Sequence, residues 1–135
     1  MIAIDTNVLL RILVDDPTAP EQNTKARHLL AKADGVWVSM VVLIEAVWVL
    51  ESAYRFVKPA IFSVLDTLVQ YPGIVIEATE RVNQAILTYS EGHTDFADCL
   101  ILAGALEQHL TLHTFDRKLA RLHGVKEVGP IVGQQ

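Results

Sequence analysis

The sequence predicts an α/β fold in which helices cover both faces of a mostly parallel sheet of four to five short strands. Three observations carry this expectation. Short apolar runs of strand length alternate with longer stretches of helical period, and that alternation favours parallel strands joined by helical crossovers. Apolar residues make up 51% of the 135 residues and charged ones 20%, which supplies one packed core and more. No internal repeat, linker or low-complexity segment interrupts the chain, so residues 1–135 read as one domain.

The elements follow in order. "MIAID" alternates and ends in a carboxylate, which reads as a short strand. "TNVLLRILV" places Val8, Leu9, Ile12 and Leu13 at helical spacing, and "DDPTAP" is a loop. "EQNTKARHLLAKA" is an amphipathic helix stopped by Asp34-Gly35, and "VWV" is a second buried strand. Ser39 is the N-cap expected for "MVVLIEAVWVLESAY". Pro59 opens "AIFSVLDTLVQY", which ends at Pro72-Gly73. "IVIE" is a third strand, and "ATERVNQAILTYSEG" a helix with a glycine stop. Thr94 or Asp95 opens "FADCLILAGALEQH". "LTLHTF" is a fourth strand, "DRKLARLHG" a short helix, "KEV" an edge strand and "GPIVGQQ" a loose tail.

Composition narrows the function classes. A single cysteine, Cys99, excludes an intramolecular disulfide and a cysteine-based zinc site, and fits a reducing compartment. The N-terminus has no basic region ahead of its short apolar run, so no signal peptide is expected. "SMVVLIEAVWVL" is the nearest approach to a membrane span, but it is short and Glu45 interrupts it. The expectation is a cytosolic, cytoplasmic protein. Net charge is −5, whereas nucleic-acid binders are usually basic. A role with nucleic acid therefore needs a local device that offsets negative charge. The apolar excess points to surface covered by a partner.

Carboxylates are the candidates for chemistry. In open α/β sheets, sites form beyond the carboxyl ends of the strands. Asp5 follows "MIAI" and Asp116 follows "LTLHTF" at such ends. Glu45 and Asp98 interrupt the apolar helices "VVLIEAVWVL" and "FADCLILA", and Asp95 shares a helix face with Asp98. Each has a structural alternative. Asp5, Asp95 and Asp116 can cap helices. Glu45 and Asp98 read as too deep in their helices to cap, and their alternative is an ion pair with Arg11 or Arg27. Two strand-end acids and two mid-helix acids together favour one shared site. Clustered carboxylates repel, so they take up protons or a cation. Oxygen donors select Mg²⁺ or Mn²⁺. His28, His93, His109, His113 and His123 are too scattered to be ligands, and no H-x-x-x-H spacing supports zinc. A bridging divalent ion is the device that lets an acidic chain act on phosphates.

"IDTNVLLR", "LIEAVWVL", "DFADCLILAGAL" and "TFDRKL" resemble, in order and spacing over nearly the whole chain, the motifs of the PIN domain family. The resemblance is nearest to the VapC-type ribonuclease toxins of toxin–antitoxin pairs. It implies a three-layer α/β/α sandwich, Mg²⁺- or Mn²⁺-dependent endoribonuclease activity on RNA, a homodimer, and inhibition by a cognate VapB-like antitoxin. Asp5, Glu45, Asp98 and Asp116 match the family's four acids, and Asp95 an acid frequent beside the third. Thr6 and Asn7 match the polar pair after the first acid, with Asn7 expected to orient Asp5 or meet a phosphate, or simply to bond the helix start. Thr114 matches the hydroxyl before the fourth acid and is expected to hold Asp116 or a metal-bound water.

Arg11, Arg117, Lys118 and Arg121 lie near these acids in sequence and suit phosphate contacts, or else a solvated face. Trp37 and Trp48 read as core or interface. One alternative is a non-catalytic PIN-fold module that binds RNA or protein, which an arginine paired to Glu45 or Asp98 together with a site that holds no metal would favour. A phosphatase of the haloacid-dehalogenase type is disfavoured because "DTN" lacks the D-x-D-x-T pattern. No glycine-rich nucleotide loop is present.

Overall fold

A computed structural model describes residues 1–92 and 94–131. His93 and the end of the predicted tail, residues 132–135, lie outside the described residues. The chain forms two compact units, residues 1–83 and 84–135, and the boundary falls inside one helix, Thr79–Glu91.

The first unit begins with β1 (Ile2–Ala3), α1 (Thr6–Leu13), α2 (Pro20–Lys32) and β2 (Val36–Val38). It continues through α3 (Met40–Ser52), α4 (Lys58–Gln70) and β3 (Ile74–Ile76) into the first residues of α5 (Thr79–Glu91). The three strands form a parallel sheet in the order β1-β2-β3, with Ile2 opposite Val36 and Val36 opposite Ile74. Parallel pairing points every strand's carboxyl end the same way, so Asp5, Ser39 and Glu77 all follow such an end. The helices bury one stripe each: Leu9, Leu10 and Ile12 from α1, Leu43, Ala46, Val47 and Leu50 from α3, Ile61, Leu65 and Leu68 from α4. Ser39 caps α3 as expected, its hydroxyl accepting the Val42 N–H at 3.2 Å. Glu77 adds a second cap, accepting the Met40 N–H at 2.9 Å. Helix α3 stops at Ser52 instead of running to residue 54, and Arg55 adopts a left-handed conformation (φ 56°) just beyond. Pro20 opens α2 at its first turn, where a missing N–H costs nothing.

The second unit holds most of α5, then α6 (Phe96–Glu107), β4 (Leu112–Thr114), a 3₁₀ turn (Leu119–Arg121) and β5 (Val125–Glu127). β4 and β5 pair in parallel, with Thr114 opposite Glu127. Tyr89 and Phe96 meet edge to face at 5.7 Å, and Leu102, Leu119 and Val125 form a small buried cluster. Gly124 sits at φ +84°, and a Cβ there would come within 2.6 Å of the Leu106 side chain, so no other residue fits without a shift.

The α/β class and parallel pairing are as the sequence predicts. Five strands occur among the described residues, hydrogen-bonded as one sheet of three and one of two. Apolar runs locate strands but do not tell which edges pair. The "DRKLARLHG" helix reduces to a single 3₁₀ turn, because so few residues cannot repay helix nucleation before Gly124 reverses the chain. The last strand is Val125–Glu127, one residue earlier than "KEV".

Candidate active site

In the first unit Asp5 is the N-cap of α1, its Oδ1 accepting the Val8 N–H at 3.1 Å. The capping role is thus real, and it fixes the Asp5 carboxylate just beyond the carboxyl end of β1. The Thr6 hydroxyl donates to Glu45 Oε1 at 3.0 Å, tying the start of α1 to the second turn of α3. Glu45 is exposed and not buried as an apolar helix suggested, because it rides the outer face of α3 between Val41 and Trp48. Asn7 is exposed and lines, with Asp5, Arg11, Gln22 and Lys25, a cleft of about 280 Å³.

Arg11 is not a free phosphate ligand. Its Nε donates to Gln22 Oε1 at 2.9 Å, and its NH1 donates to Tyr54 OH at 2.8 Å and meets Asp16 Oδ2 at 3.3 Å. Arg27 pairs with Asp15 at 3.7 Å. The two arginines considered as partners for Glu45 and Asp98 are therefore engaged elsewhere. Asp16 was missed in the sequence. Thr18 donates to Asp16 Oδ1 through its N–H (2.9 Å) and hydroxyl (2.6 Å), and Tyr54 OH donates to Asp16 Oδ2 at 2.8 Å. The Thr18 and Tyr54 bonds lower the Asp16 carboxyl from the ordinary 3.8 to about 2. Burial and the bond to Asp16 raise the Tyr54 phenol. The signal was present in "DPT", an Asx-turn sequence.

In the second unit Asp95 is the N-cap residue of α6, yet its carboxylate makes no capping bond. Asp98 lies three residues on, in the first helical turn, and is half-buried. This corrects the sequence expectation that it is deep in the helix and enclosed by apolar residues. The helix begins at Phe96, so Asp98 is its third residue and stays partly open to solvent. Asp116 Oδ1 accepts the N–H groups of Lys118 (2.8 Å) and Leu119 (3.2 Å), which realises its capping alternative. Thr114 Oγ1 accepts the Asp116 N–H at 3.0 Å, so the hydroxyl does hold the fourth acid's backbone. Arg117 and Lys118 are exposed beside it. Desolvation first, then the charges of Asp95 and Asp116, push the Asp98 carboxyl up from its ordinary value.

Among the described residues of each unit, no three His, Cys, Asp or Glu side chains converge closely enough to hold an ion as they stand. The chemistry of the donors nevertheless fits a hard divalent cation. Asp98, Asp95 and Asp116 offer acceptor-only oxygens when ionised, the charges of Asp95 and Asp116 disfavour ionised Asp98, and a cation relieves that repulsion. No helix among the described residues is long and apolar enough to cross a membrane.

An acid follows a parallel strand in each unit, Asp5 after β1 and Asp116 after β4, and further acids stand on the helices, Glu45 on α3 and Asp98 on α6. The chain belongs to the PIN domain family, whose model matches residues 2–125. It is also similar to a VapC ribonuclease of Aquifex aeolicus (strain VF5), 29% identical over 129 residues that cover 94% of this chain and 95% of that protein.

Proposed function

We propose that this chain is a divalent-metal-dependent endoribonuclease, the toxin of a VapBC-type pair, in which Asp5, Glu45, Asp98 and Asp116 hold Mg²⁺ or Mn²⁺. The observation that carries the reading is the family match over residues 2–125 and the likeness to a VapC ribonuclease over nearly the full length, in a chain that fixes Asp5 and Asp116 by backbone N–H groups at the carboxyl ends of β1 and β4. Supporting it, the boundary between the two units falls inside α5 and not in a linker, as expected if residues 1–135 make one domain. The non-catalytic alternative loses its support, since Arg11 and Arg27 are paired with Asp16 and Asp15.

The protein's own residues divide the work. Asp5 keeps one oxygen on the Val8 N–H, which fixes the direction of the other. Thr6 holds Glu45 in one orientation by its hydroxyl bond. Thr114 and the two N–H groups on Asp116 fix the turn that carries the fourth acid. A bound divalent ion supplies charge stabilisation on the phosphate and a more acidic water. Asn7 and Arg117 are positioned on exposed surface to meet RNA, and Asp95 modulates Asp98 by charge. The reading also places the protein in the cytoplasm, as a homodimer that a VapB-like antitoxin inhibits. The exposed apolar residues Val41 and Trp48 on α3 support a protein interface there. Helix α4, by contrast, buries or half-buries its large apolar side chains.

The test is cleavage of a single-stranded RNA with Mg²⁺ or Mn²⁺, with EDTA, and with Asp5→Asn. The reading expects cleavage only with the ion and a loss of orders of magnitude in the variant. Equal cleavage by Asp5→Asn purified the same way sinks it.

A further inference from the structure

We infer that Phe115 is a stacking platform for an unpaired base of the RNA strand, a specificity-determining contact beside the second unit's acids; the inference rests on the ribonuclease reading. Phe115 is 82% exposed, more than any other large apolar side chain among the described residues. An exposed ring on a loose loop means little. This one is on a pinned turn. The Val128 N–H donates to the Thr114 carbonyl at 2.7 Å, and Thr114 Oγ1 accepts the Asp116 N–H at 3.0 Å. Asp116 then accepts from Lys118 and Leu119, and the Leu119 side chain is anchored against Leu102 and Val125. The backbone on both sides of the ring is fixed, so little conformational entropy is left to lose on binding.

The neighbours select the occupant. Phe115 is followed by Asp116, whose charge reaches Asp98, and then by the exposed cations Arg117 and Lys118. Phe115 is the one exposed apolar side chain of residues 114–118, and Val128, bonded to Thr114, is 40% exposed against the ring's 82%, so a single aromatic face dominates the turn. A lone aromatic face with adjacent cations, next to acids assigned to phosphate chemistry, matches how single strands are held: a base on the ring, phosphates on the cations. Stacking tolerates many bases and rejects paired ones, so the platform predicts a preference for single-stranded substrate.

The test combines binding and cleavage. Affinity for a fluorescein-labelled single-stranded RNA with cleavage-resistant phosphorothioate linkages is measured by anisotropy with Mg²⁺ present, for wild type, Phe115→Ala, Phe115→Leu and Phe115→Trp. Loss of the ring is expected to weaken binding by roughly 5- to 100-fold, with Trp retaining affinity and Leu failing to rescue it. Removing one base in turn along the strand should cost wild type affinity at a single position and leave Phe115→Ala indifferent there. Equal affinity of wild type and Phe115→Ala overturns the proposal, as does full rescue by Leu. A change in the light-scattering mass of Phe115→Ala with unchanged RNA affinity overturns it in favour of a protein interface. Cleavage with Mg²⁺ separates the two readings. Ring-dependent binding without any cleavage removes the ribonuclease reading alone, and cleavage with unchanged kcat/KM in Phe115→Ala removes the stacking platform alone.

Discussion

Asp98 lies half-buried in the first turn of α6. Its carboxyl is raised by desolvation and by Asp95 and Asp116, so its ionised form strains the folded state. A raised carboxyl favours the protonated native state. The cost is present above the unfolded-state value and is relieved as pH falls through the raised folded value. Asp98→Asn should therefore melt higher than wild type in metal-free buffer at neutral pH, by roughly a few degrees, and the gap should close on acidification. A differential scan at two pH values decides it. Asp16 has the opposite sign. Its carboxyl is depressed to about 2, so its contribution is complete above the ordinary 3.8 and is lost as pH falls toward 2. Asp16→Asn should be less stable than wild type at pH 7, and the difference should shrink between pH 4 and 2 in thermal melts. A constant difference across that window would show that the Thr18 and Tyr54 bonds are not the cause.

At the scale of elements, what could be read from the sequence depended on whether the signal was local. Ser39 as a cap, Pro59 in the first turn of α4 and Asp34-Gly35 as a stop are chain-neighbour effects, and each occurs where the sequence places it. Ser39→Ala should cost about 1 kcal/mol, tempered because Glu77 also caps α3. Urea denaturation of Ser39→Ala, Glu77→Gln and the double variant checks this, with the double variant expected to lose more than either. The Glu77 cap was illegible because it joins residues 37 apart across a parallel crossover. The candidate acids were legible as residue types, Asp5 and Asp116 at strand ends and Glu45 and Asp98 inside apolar runs. Their surroundings were not: Asp98's position depended on where α6 starts, and Glu45's exposure on which stripe of a nearly all-apolar helix turns inward. Arg11 was misjudged for the same reason, since its partners Gln22 and Tyr54 lie in other elements.

For the whole molecule, two features call for a partner. One is the net charge of −5, which opposes RNA unless a cation intervenes. The other is the apolar face of α3, where Val41 is 65% and Trp48 67% exposed. If that face seats a second copy, the chain is a dimer by light scattering at micromolar concentration, and Trp48→Glu shifts it toward the monomer without lowering its melting temperature by more than a few degrees. A wild-type monomer removes the dimer and leaves the metal argument untouched.

The central claim is that the acids of this PIN domain are there to hold a divalent cation. Isothermal titration of the EDTA-stripped protein with Mn²⁺, wild type against Asp98→Asn, tests it most directly. Saturable binding is expected in wild type, weakening as pH falls and lost in the variant. No binding in wild type, or equal binding in Asp98→Asn, would contradict it.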